Sequence, residues 1–172
     1  MAANPRSTRV RDRRVATDAA DLLCADHREV RGLFAGYRKL ARERAPGSER
    51  APLAEEICTL LTVHAAIEEE IFYPEARAAG VDADLLEKAE VEHADVKELV
   101  AQIRDMEAGD ALYDAKVRVM GEHVQHHVAE EERELFARCR ASAMDLCAVG
   151  ARLAARKAEL MGEMSEGMEA VD

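Results

Sequence analysis

The sequence predicts an all-α protein, an up-down-up-down four-helix bundle with an extra short C-terminal helix. Of the 172 residues, 48% are hydrophobic, and only nine are glycine and four proline. These glycines and prolines are too few to supply the turns of an all-β chain. Apolar residues also recur at three- and four-residue steps in four long segments that are joined by short breaks. Such spacing is typical of antiparallel helices in a bundle.

The first two segments carry recognisable start and stop signals. The first opens at positions 17–18, where the residue types favour helix capping, and it ends at the proline-glycine break over residues 45–48. The second has Pro52 in its first turn and is closed by Gly80. Pro74 is expected to bend or end this second helix.

The remaining segments complete the predicted domain. Asp82 caps the third helix, and the turn at 109–110 leads into the fourth. A fifth, shorter amphipathic segment covers about residues 142–162. We therefore predict a basic flexible arm over residues 1–16, the bundle with its C-terminal helix over 17–162, and an acidic flexible tail over 163–172. No internal repeat of fixed period is found.

Composition excludes several classes of function. The chain has 24 Lys and Arg against 35 Asp and Glu, a net charge of −11, which argues against nucleic acid as a partner. No apolar run is long enough to span a membrane, and no apolar segment of a signal peptide follows the basic start. We expect a cytoplasmic monomer or weak dimer. The four cysteines lack metal-site spacing and are interpreted as reduced thiols in or near the core: Cys24, Cys58, Cys139 and Cys147.

Each of the four helical segments has one histidine within its apolar stripe, and two of these have a glutamate four residues later. The histidines are His27, His64, His93 and His127, and the glutamates are Glu68 and Glu131. Residues four apart lie on one helix face, so each such pair can reach the same metal. A glutamate in the core costs several kcal/mol unless a cation compensates its charge.

The positions of the histidines along the helices also agree. Counted from the connecting loops, their levels in antiparallel helices differ by only about 3–6 Å. One core histidine is more often a packing residue than a ligand, but four at one level with two glutamates favour a metal site. Imidazole and carboxylate ligands without cysteine favour iron, manganese or zinc.

The sequence resembles the hemerythrin-like (HHE cation-binding) family over about residues 18–160. The matching motifs are Ala25-Asp26-His27, His64-Ala-Ala-Ile-Glu68-Glu-Glu-Ile-Phe72-Tyr73-Pro74, Glu92-His93 and His126-His127-Val-Ala-Glu130-Glu131-Glu132-Arg-Glu-Leu135-Phe136. The resemblance implies a four-helix bundle with two non-haem iron ions, bridged by oxo or hydroxo and carboxylate groups. It implies that His27, His64, His93 and His127 are terminal ligands and that Glu68 and Glu131 bridge or chelate.

The chain departs from the oxygen-carrying hemerythrins at two places. Lys97 stands where they have a further histidine, and the step from His127 to Glu131 replaces their longer histidine-to-aspartate step. Fewer histidines leave more coordination positions open. We therefore expect reaction with a small oxidant or gas ligand (peroxide, dioxygen or nitric oxide), including catalase-like peroxide removal in oxidative stress. The alternatives are a non-enzymatic iron, oxygen or nitric-oxide binding or sensing protein, and a structural metal bundle with zinc.

Several further polar residues lie near these motifs. His123 is one turn before His127 and is a possible additional ligand, although a surface position is favoured. His126 is expected to be solvated. Tyr73 is nearly opposite His64 by helical angle, so it reaches the metal only if the helix unwinds. Four glutamates are predicted to form a solvated face: Glu69, Glu70, Glu130 and Glu132.

Overall fold

The computed structural model describes residues 18–169, which are helical apart from short connections and contain no strand. The α-helices are α1 (Ala19–Arg42), α2 (Gly47–Ile67), α3 (Tyr73–Ala78), α4 (Ala83–Arg104), α5 (Tyr113–Glu130), α6 (Phe136–Ala141) and α7 (Leu146–Glu169). Two π-helical turns, π1 (Glu68–Phe72) and π2 (Glu131–Leu135), join α2 to α3 and α5 to α6. The described chain thus forms five continuous rods, and the all-α prediction is confirmed.

Helix ends follow most of the predicted signals. The Asp18 side chain accepts a hydrogen bond from the Asp21 backbone N–H at 2.8 Å, and Asp82 caps α4 in the same way. Gly80 ends the second rod with a φ of +77°, a conformation that favours glycine. One expectation is wrong, because the second rod begins at Gly47 and Pro52 lies inside the helix. The rod also continues beyond Pro74, which lies at the start of α3 directly after π1.

The fifth rod is longer than predicted. Helix α7 has 24 residues, as many as α1, and it packs against α1, α2 and π1. It is therefore not a short addition, and it continues into the segment 163–172 that was predicted to be a flexible tail. The basic arm over residues 1–16 lies outside the described residues. The division of the chain into arm, bundle and tail stays a prediction.

The core consists of two apolar clusters with a polar layer between them. One cluster contains Leu23, Phe72 and Phe136, and the other contains Phe34 and residues of α2, α4 and α5. The buried polar side chains are His27, His64, Glu68, His93, His127 and Glu131. Because isolated buried charges are strongly destabilising, these six groups need one another or a cation.

The structure bears on two predictions made from composition, one on membrane-spanning helices and one on the cysteines. No helix within residues 18–169 is long and apolar enough to cross a membrane. The four cysteines, which all lie in the described range, form no disulfide. Cys58 and Cys139 are buried and Cys24 is half-buried, but Cys147 is exposed, so its predicted place near the core is wrong.

Candidate metal centre

The four histidines from the apolar stripes meet in the polar layer, one from each of α1, α2, α4 and α5. His27 Nε2 lies 3.2 Å from His64 Nε2, and His93 Nε2 lies 3.1 Å from His127 Nε2. We call the His27–His64 pair the first half-site and the His93–His127 pair the second half-site. All four side chains are buried. The structure thus brings together groups that lie up to 100 residues apart in the sequence.

The two buried glutamates connect the half-sites. Glu68 Oε2 lies 3.2 Å from Nε2 of both His64 and His93. Glu131 Oε2 lies 3.4 Å from Nε2 of His27 and 3.3 Å from Nε2 of His127. Each carboxylate therefore contacts one histidine of each pair, as a bridging ligand between two ions requires.

The distances between the paired nitrogens fit a shared metal ion. With metal–nitrogen bonds of about 2.0–2.1 Å, two ligands on one ion are about 3.0 Å apart at right angles and about 3.4 Å apart in a tetrahedron. The observed 3.1 and 3.2 Å lie within this range. Two buried carboxylate oxygens, Glu68 Oε1 and Glu131 Oε2, also lack a hydrogen-bond partner. The residues present therefore fit a pair of ions in this layer.

The electrostatics of the cluster keep its carboxylates charged. Burial by itself lowers the pKa of His64, but the charge of Glu68 and the contact with Asp26 raise this pKa to about 10. Burial and the charge of Glu68 act to raise the pKa of Glu131, yet His127 and His27 hold that pKa below its ordinary value. Ionised carboxylates are the form that a metal needs, and a bound ion replaces the imidazole protons.

Each histidine has a carboxylate at its outer nitrogen, Nδ1. The pairs are His27–Glu132 at 3.0 Å, His64–Asp26 at 3.5 Å, His93–Glu69 at 3.0 Å and His127–Glu92 at 2.9 Å. A proton on Nδ1 that is donated to a carboxylate leaves the Nε2 lone pair facing inward. The prediction of a solvated face for Glu69 and Glu132 is therefore wrong, because both cross to a histidine on a neighbouring rod.

Basic side chains hold these carboxylates from outside. The pairs are Glu132–Arg31 at 3.2 Å, Asp26–Lys157 at 2.6 Å, Glu69–Lys97 at 2.6 Å and Glu92–Lys88 at 3.6 Å. Lys157 lies on α7, the fifth rod, whereas the other three basic residues lie on α1 and α4. Lys97 thus supports a histidine through Glu69, at the position where oxygen-carrying hemerythrins have a ligand.

Tyr73 also reaches the centre, against the prediction from helical angle. Its hydroxyl donates to Glu131 Oε1 at 2.9 Å and lies 3.3 Å from both Glu68 Oε2 and His93 Nε2. The π1 turn is the physical reason, because the residue that it adds to the rod turns the following side chains by about 100°. No signal in the sequence other than the adjacent Pro74, which cannot donate a backbone hydrogen bond, points to this turn.

The other two histidines lie outside the buried cluster. His123 is exposed on α5 and is not brought to the half-sites. His126 is 70% exposed, as expected for a solvated residue, and faces Glu92 and Glu130 at 3.8–3.9 Å. Lys88 already forms an ion pair with Glu130, which neutralises part of this surface group.

A cavity of about 30 Å³ touches all four histidine rings. Its wall is mainly aliphatic and includes Val30, Leu61, Val96, Val124 and Val128. Space for one water corresponds to about 10–15 Å³ by this measure, so the cavity accepts a molecule of only two or three heavy atoms. Lys157 and Asp26 also line it, on the side of the first half-site.

The fold and these half-sites agree with the family to which the chain is matched. The model of the Hemerythrin HHE cation binding domain matches residues 18–139, which is more than half of the chain. The chain therefore belongs to the hemerythrin HHE cation-binding domain family. Helix α7 lies beyond the matched residues.

Two similar proteins extend the comparison. A DNA nickase from Nostoc sp. (strain PCC 7120) is 31% identical over 120 residues, which are 70% of this chain and 33% of that protein. The chain thus spans about a third of the length of this relative. The crystal structure of a hemerythrin HHE cation binding domain-containing protein from Mycobacterium kansasii is 23% identical, with a TM-score of 0.72 over 88% of this chain and 92% of that chain. This likeness shows the fold.

Proposed function

We propose that the chain is a non-haem di-iron protein whose centre reacts with small oxidants, foremost peroxide. One iron would be held by the first half-site and the other by the second, with Glu68 and Glu131 shared between them. The proposed ligands are His27, His64, Glu68, His93, His127 and Glu131, together with the oxygen of Tyr73 at the second half-site. Manganese or zinc fits the same donor atoms, so the iron itself is part of the proposal.

The observation that carries this proposal is the inward convergence of two Nε2 pairs on shared carboxylates. Each pair is 3.1–3.2 Å apart, and each carboxylate contacts both pairs within 3.4 Å. In each pair the two Nε2 atoms face each other at a distance that one cation between them would span. A pair of divalent ions satisfies the nitrogens and the buried acidic groups together.

The protein side chains define what such a centre does. When bound, two irons supply one-electron redox chemistry and Lewis acidity. The carboxylates hydrogen-bonded to Nδ1 of His27, His93 and His127 fix those imidazole rings. The aliphatic wall of the cavity limits access to small molecules. With Lys97 in place of a further histidine ligand, the second half-site has fewer nitrogen donors than an oxygen carrier. This favours reaction with peroxide over reversible oxygen carriage.

The test is metal analysis and peroxide turnover of purified protein supplied with iron. We expect two irons per chain, a near-ultraviolet oxo-to-iron band and oxygen release after addition of hydrogen peroxide. The His64→Ala/His127→Ala double variant should lose at least one iron and the oxygen release. The His123→Ala/His126→Ala double variant is the matched control and should keep both.

The outcomes separate the candidate functions. Protein with two irons that binds small ligands but consumes no peroxide would assign the binding or sensing role instead. Protein that takes up zinc alone and consumes no peroxide would contradict the proposal. Equal iron retention in both histidine variants would show that the metal lies elsewhere.

Some finer expectations stay predictions. These are the up-down-up-down order of the helices, a cytoplasmic location, a monomeric or weakly dimeric state and the absence of nucleic-acid partners. We do not extend DNA nicking from the Nostoc relative to this chain, because the match covers 33% of that protein. A gel assay with supercoiled plasmid, in which we expect no nicked product, tests this point.

A further inference from the structure

The outer face of α1 carries a stripe of basic side chains. Residues 28–44 contain six basic and two acidic residues, whereas the whole chain has 24 and 35. At 1.5 Å per residue this stripe runs about 21 Å along the helix, within an arc of about 100°. We call it the basic stripe, and its members are all exposed: Arg28, Arg31, Arg38, Lys39 and Arg42. A chain with a net charge of −11 thus has a locally positive face.

Most of these charges have no partner within the described chain. Arg31 pairs with Glu132 at 3.2 Å. Exposed arginines on other rods, such as Arg77 and Arg152, also pair with glutamates. The basic side chains that form no ion pair with another described residue are Arg28, Arg38, Lys39, Arg42 and, on α5, Arg118. Their charge therefore acts outward and attracts an acidic partner.

A groove between α1 and α5 adjoins the basic stripe and has a volume of about 840 Å³. Its rim includes Leu112, which is 69% exposed and has a φ of +75°, a conformation that leucine rarely adopts. Apolar and basic side chains line the groove together: Phe34, Ala41, Val117, Arg38, Arg42 and Arg118. An apolar patch with a charged rim is the usual composition of a protein–protein contact surface.

The basic stripe also approaches the metal centre. Arg31 contacts Glu132 at 3.2 Å, and Glu132 contacts Nδ1 of His27 at 3.0 Å. A partner that lies on the stripe is therefore separated from the first half-site by two side-chain contacts. A small surface of this kind, close to a redox centre, suits the weak and transient encounter that electron transfer requires.

We propose that the basic stripe and the α1–α5 groove form the docking surface for an acidic one-electron carrier protein. This inference rests on the proposed function. Peroxide that oxidises a diferrous centre takes up two electrons and two protons, and it leaves two waters and two ferric ions. Two encounters with the reduced carrier return both ions to the ferrous state and leave two oxidised carrier molecules. No covalent bond to the carrier forms or breaks.

The distribution of charge orients such a carrier. The rest of the chain is acidic and repels an acidic protein, whereas the stripe attracts it, so the encounter is directed to α1 and α5. Salt screens both effects, because the Debye length is only about 8 Å at physiological ionic strength. Docking should therefore weaken as the salt concentration rises.

The experiment mixes oxidised, iron-loaded protein with a reduced plant-type [2Fe–2S] ferredoxin, an acidic one-electron carrier, and follows reduction by stopped-flow absorption. Arg38→Gln/Arg42→Gln/Arg118→Gln should slow this reduction at low salt by at least about tenfold. The matched control removes three charges elsewhere and should react as wild type does: Arg77→Gln/Arg133→Gln/Arg138→Gln. Dithionite needs no docking surface and should reduce all three proteins at the same rate.

Complex formation gives a second readout that needs no turnover. Oxidised ferredoxin should bind the wild-type protein in a calorimetric titration, with an affinity that falls as salt is added. The Arg38, Arg42 and Arg118 triple variant should bind at least about tenfold more weakly. Leu112→Asn should also weaken binding, because it removes the apolar rim while asparagine tolerates the same backbone conformation.

These results are distinguishable from failure of the proposed function. Fewer than two irons per wild-type chain would contradict the di-iron assignment, while the ferredoxin titration still tests the surface. Equal rates and affinities in the wild type and the triple variant would overturn the inference alone. Binding of single-stranded DNA to this surface in place of ferredoxin would also overturn it. If the triple variant does not fold, Leu112→Asn decides, and an unchanged affinity would overturn the inference.

Discussion

Each half-site has two histidines and contacts the same two glutamates, but the two half-sites are supported by different parts of the molecule. In the first, Asp26 behind His64 is held at 2.6 Å by Lys157, which comes from α7. In the second, Glu92 behind His127 is held at 3.6 Å by Lys88 from the same helix α4. The two half-sites are therefore alike in their inner side chains but differ in the rods that hold their outer carboxylates.

The largest effect is expected from removal of a carboxylate that both half-sites share. Glu68→Ala and Glu131→Ala should each reduce bound iron from two toward one or none, since each glutamate contacts both histidine pairs. Iron per chain, measured by mass spectrometry, checks this. Glu134→Ala is the control, because the side chain of Glu134 pairs only with its neighbour Arg133. Equal iron in all three variants would disprove the bridging role.

Removal of both ions should lower the melting temperature. Each ion present at about 1,000 times its dissociation constant adds about 4 kcal/mol to the free energy of unfolding, so two independent ions add about 8 kcal/mol. For a chain of this size the loss of both ions corresponds to roughly 16–32 °C. The apo protein also retains two buried carboxylates without a metal partner. Calorimetry of loaded and chelator-treated protein measures the difference, and identical melting temperatures would contradict a metal in the core.

Loss of one outer carboxylate should weaken only the half-site that it supports. Glu132→Ala frees the ring of His27, and Glu69→Ala frees the ring of His93. Removal of such a partner typically lowers metal affinity about 10–100-fold. Chelator competition should therefore show one weakened and one unaffected ion in each variant. If the affinity for both ions falls by the same factor in both variants, an outer carboxylate does not act on its own half-site alone.

The smallest expected effect concerns the outermost basic residues. Lys157→Met should speed release of one iron to a chelator by up to about fivefold, the scale of a partly exposed ion pair. Lys88→Met should have less effect, because its contact with Glu92 is longer. Arg152→Met is the matched control on α7, since Arg152 pairs with Glu75, away from the histidines. A larger effect of Arg152→Met than of Lys157→Met would show that α7 acts through general packing.

Much of the fold and the inner cluster could be predicted from sequence periodicity. A histidine in each apolar stripe, at matching heights, places the rings in one layer whenever the helices lie side by side. The glutamates at four-residue steps follow from the geometry of a single helix. These local rules correctly bring His27, His64 and Glu68 to one place, while their role as ligands stays a proposal.

The supporting residues could not be predicted in the same way. Glu69 and Glu132 face away from the histidine of their own rod, and only the packing of neighbouring rods shows that they reach His93 and His27. Tyr73 depends on a π-helical turn, for which no periodic pattern exists.

The most direct test of the central claim is a crystal structure of iron-loaded protein with anomalous diffraction at the iron edge. We expect two iron peaks in the polar layer. One should lie about 2.0–2.3 Å from Nε2 of His27 and of His64, and the other at the same distance from Nε2 of His93 and of His127. Absence of iron from this layer, with peaks only at the exposed group of Glu92, His126 and Glu130, would contradict it.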